Sequence, residues 1–256
     1  MEEIEFEAGN VVIQEAQVIQ EAVLVNNQVN NIVAAQLGTL SVSDVPSQDG
    51  WPLYIAARDG QVSSLGRILE QEYKQTSDID IVNKSFVDGE QRCTPLIIAA
   101  RNGHSAVVSA LIENEAGDYS TDLECEGTVK FDGHVIEGAT ALWCAAGAGH
   151  KAIVEMLVEA GADVNHVTKT NSTPLRAACF EGRLDIVKFL CENKADYHIA
   201  NKYNNTCLMI SSYKGHQEVV EFLLATGADP NTKALCGASA LHFSAEIGNV
   251  PIVEKY

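Results

Sequence analysis

Basic residues are what this sequence lacks most. Its 256 residues hold 17 Lys and Arg against 35 Asp and Glu, a net charge of −18. Residues 1–50 contain no Lys or Arg, only eight carboxylates: Glu2, Glu3, Glu5, Glu7, Glu15, Glu21, Asp44 and Asp49. The remaining residues therefore carry about −10. Such a surface repels a phosphate backbone, which argues against nucleic acid, and attracts cationic partners; it also serves plain solubility. There is no basic stretch ahead of an apolar one and no run of eighteen apolar residues. Neither secretion nor a membrane span is expected. The seven cysteines, at 93, 125, 144, 179, 191, 207 and 236, include no CxxC pair and no disulfide-framework spacing. That usage suits a reducing setting, cytoplasmic or nuclear. Metal-ligand spacing, a phosphate-binding loop and a Ser/His/Asp or Cys/His set are also missing. The chain does not read as an enzyme, and nothing in its residues calls for a cofactor.

What the sequence has is a repeat. Thr173-Pro174-Leu175-Arg176-Ala177-Ala178-Cys179-Phe180-Glu181-Gly182 opens a helix–turn–helix unit. Thr173 can cap the first helix, and Pro174 sits where a missing N–H costs nothing. Leu175, Ala177 and Ala178 give a narrow apolar face; after Gly182, Leu184, Ile186, Val187 and Leu190 give a wider one. The same frame starts at Thr94, Thr140, Thr173, Thr206 and Ser239, and the last three intervals are each 33 residues. Gly161-Ala162-Asp163-Val164-Asn165 and Gly227-Ala228-Asp229-Pro230-Asn231 supply the helix stop and the β-turn. A 33-residue period with Thr-Pro-Leu openings is the ankyrin signature. The predicted fold is an all-α ankyrin-repeat solenoid of about six repeats.

Residues 49–256 are assigned to the repeats and 1–48 to an atypical extension. Val11 to Val33 is either an amphipathic helix or a Gln/Asn-biased disordered tail. Ser41 to Gly50 reads as a linker. Trp51 to Gly60 opens an irregular capping repeat, and Gln75 to Glu90 a long polar connection. The sixth repeat runs into Tyr256 inside its second helix, which reads as a fragment. The interval from Thr94 to Thr140 is 46, so thirteen extra residues fall within Ala116 to Glu137. Two alternating runs around Asp132-Gly133 predict a β-hairpin there, between repeats two and three. Asp118, Asp122, Glu124, Glu126, Asp132 and Glu137 make the insertion acidic. It is either part of a binding face or a tolerated loop without a role.

The fourth residue of each opening is ordinarily His, as at His242; the central repeats carry Trp143, Arg176 and Met209. An Arg at that buried edge needs an anion: Asp132, Glu181 or a ligand. The residues before the turn Gly are Gly147-Ala148, Phe180-Glu181 and Tyr213-Lys214. Side by side, they predict an open notch at Gly147-Ala148 walled by Phe180 and Tyr213. Asp132 and Glu181 would supply negative charge and Arg176 positive. That slot suits a peptide end, with carboxylates for a guanidinium and Arg176 for the terminal carboxylate. His104, His150 and His216 recur ahead of the second helices and read as structural. Cys236, beside Gly237 at a turn tip, is the thiol expected to be exposed.

Three stretches resemble the Fem-1 family: VKFDGHVIEGATALWCAAGAGH from Val129, TNSTPLRAACF from Thr170 and NKYNNTCLMI from Asn201. The likeness runs from about Trp51 to Tyr256. It implies a substrate receptor of a cullin-2 RING ubiquitin ligase, itself non-catalytic. Such a receptor reads C-terminal degrons, particularly those with Arg at or near the end, in the ankyrin concavity. By motif position the family's acidic hairpin residue falls on Asp132, its Ser on Ser172, its carboxylate-binding Arg on Arg176 and its aromatic on Phe180. A second acidic residue, often Asp, falls on Glu181. With Phe131, Trp143 and Tyr213 these form the expected degron-binding set. A thiol used with zinc-bridged degrons in one branch falls on Cys236, preceded by Leu235 where the family has His. The family's elongin-binding box does not occur in these 256 residues. Elongin B/C and cullin-2 are thus expected to join through a region missing here. The alternative is a general ankyrin scaffold with no C-degron pocket.

Overall fold

The computed structural model describes residues 50–75, 81–113, 120–131 and 133–256. The expectations for residues 1–48, the linker before Gly50, Asp118 and Asp132 lie outside the described residues. Six helix pairs follow one another: α1 (Trp51–Arg58) with α2 (Val62–Gln75), α3 (Pro95–Asn102) with α4 (Ser105–Ile112), and α5 (Ala141–Ala148) with α6 (Lys151–Glu159). Then come α7 (Pro174–Phe180) with α8 (Leu184–Glu192), α9 (Cys207–Lys214) with α10 (Gln217–Ala225), and α11 (Ala240–Glu246) with α12 (Val250–Val253). First members pack on one another in chain order as an inner row, and second members as an outer row. This is the expected ankyrin-repeat solenoid.

Local chemistry accounts for the pairs. Thr94, Thr140, Thr173 and Thr206 each accept a hydrogen bond from the amide three residues on, at 3.3, 3.3, 3.1 and 3.3 Å. Such a cap contributes about 1 kcal/mol. Outer helices bury recurring triplets: Val107-Val108-Leu111, Ile153-Val154-Leu157, Ile186-Val187-Leu190 and Val219-Val220-Leu223, none more than 1 % exposed. The inner row is built from small residues, so its helices approach closely. Ser211 and Ser212 replace the usual Ala pair by donating their hydroxyls to the Cys207 and Leu208 carbonyls, at 2.9 and 2.7 Å. Buried cysteines act as small apolar side chains. Burial pushes the Cys93 thiol up to about 12 and also raises those of Cys144 and Cys179, leaving them unreactive.

The insertion is larger in structure than in sequence. The hairpin exists as β3 (Gly127–Phe131) and β4 (His134–Ala139). The supposedly featureless connection before Thr94 also ends in two strands, β1 (Phe86–Asp88) and β2 (Gln91–Cys93). Together they make one antiparallel sheet in the order β1-β2-β3-β4, with Arg92 opposite Thr128 joining the halves. Phe86 and Val129 are 1 % and 0 % exposed, so the sheet is rooted in the core.

Neighbouring repeats interlock through the recurrent histidines. Nε2 of His104, His150 and His216 lies 2.8, 3.1 and 2.8 Å from the carbonyls of Arg58, Arg101 and Phe180 in the preceding repeat. Burial lowers the His216 pKa, and Lys214 and Arg183 lower it further, while the bond to Phe180 opposes them. With the folded pKa depressed, the unfolded chain binds more protons below the ordinary histidine value of about 6.5. His216 therefore leaves stability complete above that pH and erodes it as pH falls through the window beneath. Urea midpoints are expected to drop between about pH 7 and 5, and less steeply in His216→Gln. An equal slope in both proteins would remove His216 as the cause.

Each pair is followed by a finger reaching toward the next repeat. Amides of Lys169, Lys202 and Leu235 donate to the carbonyls of Glu137, Thr170 and Tyr203, at 2.9, 3.0 and 3.0 Å. This ladder fixes the fingertips in a row. Asn171 and Asn204 hold their turns at φ 61° and 60°, a conformation Asn tolerates.

Candidate functional site

A cleft of about 260 Å³ opens between the hairpin and the fingertips of the fourth and fifth repeats. Phe131, His134, Val135 and Ile136 form its hairpin wall. Trp143, Arg176, Ala177 and Phe180, on α5 and α7, form its floor. Thr170, Ser172, Asn201, Lys202 and Tyr203 form its finger wall.

The hairpin wall is set by an aromatic contact and an ion-pair cluster. Phe131 meets Trp143 edge-on, with centroids 5.7 Å apart and planes at 78°. The Trp143 indole N–H donates to Ser172 Oγ at 3.2 Å, tying floor to finger. At the hairpin base His166 Nδ1 lies 3.0 Å from Glu124 Oε2, and Lys169 Nζ lies 2.7 Å from Glu126 Oε2. The Lys169 hydrogen bond holds the Glu126 carboxyl below the usual range. Glu124 and Glu126, read from sequence as part of an acidic display, are thus engaged within the protein and fasten the insertion to the next finger.

Arg176 stands at the floor, only 8 % exposed, with its amide bonded to the Thr173 cap. Its guanidinium, the Lys202 ammonium at the rim and His134 make the described lining cationic; no carboxylate belongs to it. Phe180 is held from outside the cleft by Lys214, whose Nζ lies 3.9 Å from the ring centroid. Thus Phe131, Trp143, Ser172, Arg176 and Phe180 of the expected set come together.

Three expectations change. The Gly147-Ala148 notch is not open: a Cβ on Gly147 would lie 3.1 Å from Phe131 Cζ, so the bare backbone seats that ring. Tyr213 does not join the lining; it turns to Phe243, edge-on with centroids 6.2 Å apart. Glu181 caps the C-terminal end of α7 beside Phe180 and is half-buried, but does not line the cleft. Sequence reasoning also passed over Lys202 and Tyr203. The signal for them was present, since they stand 33 residues after Lys169 and Thr170 at the corresponding fingertip.

Cys236 is exposed one finger further along. No group of three or more His, Cys, Asp or Glu placed to hold a metal occurs among the described residues, so these residues do not fit a zinc held by the protein alone. No helix among them is long and apolar enough to cross a membrane.

The family model for ankyrin repeats (3 copies) matches residues 53–168, 118–201 and 165–234. The chain belongs to the ankyrin-repeat family. A fem-1 homolog of Drosophila melanogaster is 44 % identical over 121 residues, covering 47 % of this chain and 17 % of that protein. The sex-determining protein fem-1 of Caenorhabditis elegans is 46 % identical over 116 residues, 45 % of this chain and 17 % of that protein. Fem-1 homolog C of Xenopus laevis is 47 % identical over 118 residues, 46 % of this chain and 18 % of that protein. The resemblance to the Fem-1 family is therefore borne out over about half the chain. The matched stretch spans less than a fifth of the length of these curated relatives. The ankyrin match makes this a protein-interaction module.

Proposed function

We propose that this chain is the substrate-recognition module of a ubiquitin-ligase receptor and that its cleft holds the carboxyl-terminal end of a substrate protein. The observation that carries the reading is Arg176, buried at the floor of a cationic, aromatic-walled cleft. A planar guanidinium takes a carboxylate through two parallel hydrogen bonds, and Lys202 adds charge at the mouth. Phe131, Trp143 and Phe180 would exclude water around that pair, strengthening it. A preference for Arg at or near the end would draw on Glu181, next to Phe180, and on Asp132 in the hairpin loop. Membership of a cullin-2 RING ligase, joined through elongin B/C, is supported by the likeness to Fem-1 proteins. On this reading the module transfers no ubiquitin itself.

The test is fluorescence anisotropy with a short peptide ending in Arg, its amide, and a copy ending in Ala. Amidation should weaken binding by tenfold or more, the loss of one charge-assisted hydrogen bond of about 1.5–3 kcal/mol. Ala in place of Arg should weaken it too, and Glu181→Gln should narrow that second difference without touching the first. Equal binding by all three peptides would leave a general ankyrin scaffold.

A further inference from the structure

We infer that Tyr203 and Leu235 form an apolar shelf outside the cleft that receives a large aliphatic or aromatic side chain of the bound peptide, a few residues upstream of its carboxylate. The inference rests on the peptide-end reading above. With the carboxylate at Arg176, the rest of the peptide must leave over one rim. The hairpin side is closed, because Phe131 sits on Gly147 and Trp143 is pinned to Ser172. On the opposite rim stands Tyr203, 44 % exposed, and its carbonyl accepts the Leu235 amide at 3.0 Å. Leu235 is 75 % exposed, more than any other exposed large apolar side chain among the described residues. One exposed Leu is ordinary on a protein surface; a Tyr and a Leu adjoining a cleft along the only open path out of it are not.

The shelf is also built in advance. Asn204 Nδ2 donates to the Lys233 carbonyl at 2.6 Å, and the Ala234 amide to the Ala238 carbonyl at 2.9 Å. Both fingertips are thereby held before any peptide arrives, so little ordering opposes binding. Lys202 Nζ lies 5.0 Å from the Tyr203 ring centroid. It occupies one ring face and opposes a second cation there, which leaves the shelf to a neutral apolar side chain.

The experiment uses fluorescent peptides ending in a free Arg carboxylate, with a single Leu moved through upstream positions and Ser elsewhere, and the amide of the best binder. Wild-type protein should favour Leu over Ser at one upstream position by about five- to tenfold, the effect of partly burying one Leu. The preference should vanish in Leu235→Ser and persist in Val250→Ser, which alters another exposed apolar residue on α12. A preference unchanged in Leu235→Ser, or absent at every position, while amidation still abolishes binding, would overturn the shelf alone. Amide and acid binding equally would overturn the peptide-end reading and the shelf with it.

Discussion

Arg176→Gln should weaken binding of a peptide with a free carboxyl terminus by at least about thirtyfold. Removing one member of a buried, hydrogen-bonded charge pair costs about 2–5 kcal/mol, much of it from leaving the other charge unpaired. In this cleft the stranded group would be the peptide carboxylate, facing aromatic walls and only Lys202 as an alternative cation. Gln keeps the stem, and the Thr173 cap takes the Arg176 backbone amide, not its side chain, so α7 should still form. Arg176→Lys separates charge from geometry: it retains the cation but loses the two-pronged donor set, and should fall between wild type and Gln. Titration by anisotropy beside a thermal melt reads both effects. Wild-type affinity in Arg176→Gln would place the peptide end elsewhere.

Gly182→Val should cost about 2–4 kcal/mol of stability. Gly182 has φ +68°, where a side chain is strained by about 1–2 kcal/mol per residue. A Cβ there would also lie 2.5 Å from His216 Nδ1, displacing the ring whose Nε2 holds the Phe180 carbonyl at 2.8 Å. That lost hydrogen bond adds about 0.5–1.5 kcal/mol. Gly161→Val is the control: φ there is +96° but nothing lies within 4 Å of the added Cβ, so only strain remains. Urea unfolding of the two variants should separate them clearly. Equal losses would mean that His216 does not couple the repeats. Because each repeat contacts only its neighbours, Gly182→Val should also divide the transition, with the fifth and sixth repeats unfolding first.

Much of this molecule is legible in sequence wherever a local rule governs. Thr94, Thr140, Thr173 and Thr206 announce the inner helices because a cap needs only residues three apart. Asp132-Gly133 announces the β3–β4 hairpin because a two-residue turn has few chemistries. Phe131, Trp143, Ser172, Arg176 and Phe180 could be chosen because they break the repeat's usual pattern. Lys202 and Tyr203 were harder to see. They are ordinary finger residues, and only the finger-to-finger backbone ladder brings them to the cleft.

The period, the caps and the apolar triplets by themselves determined a stack of helix pairs with an insertion after the second, since each depends on contacts within one repeat or with an identical neighbour. The tertiary structure alone decided the shape of the site. Pairing of β3 with β2 turned an expected loop into an anchored four-stranded sheet and drove Phe131 into the Gly147 notch. Burial of Phe243 against Tyr213 drew that ring out of the cleft. His166 and Lys169 claimed Glu124 and Glu126 and left the described lining cationic. These outcomes join residues from different repeats through side chains that do not recur, so no repeating pattern could have carried them.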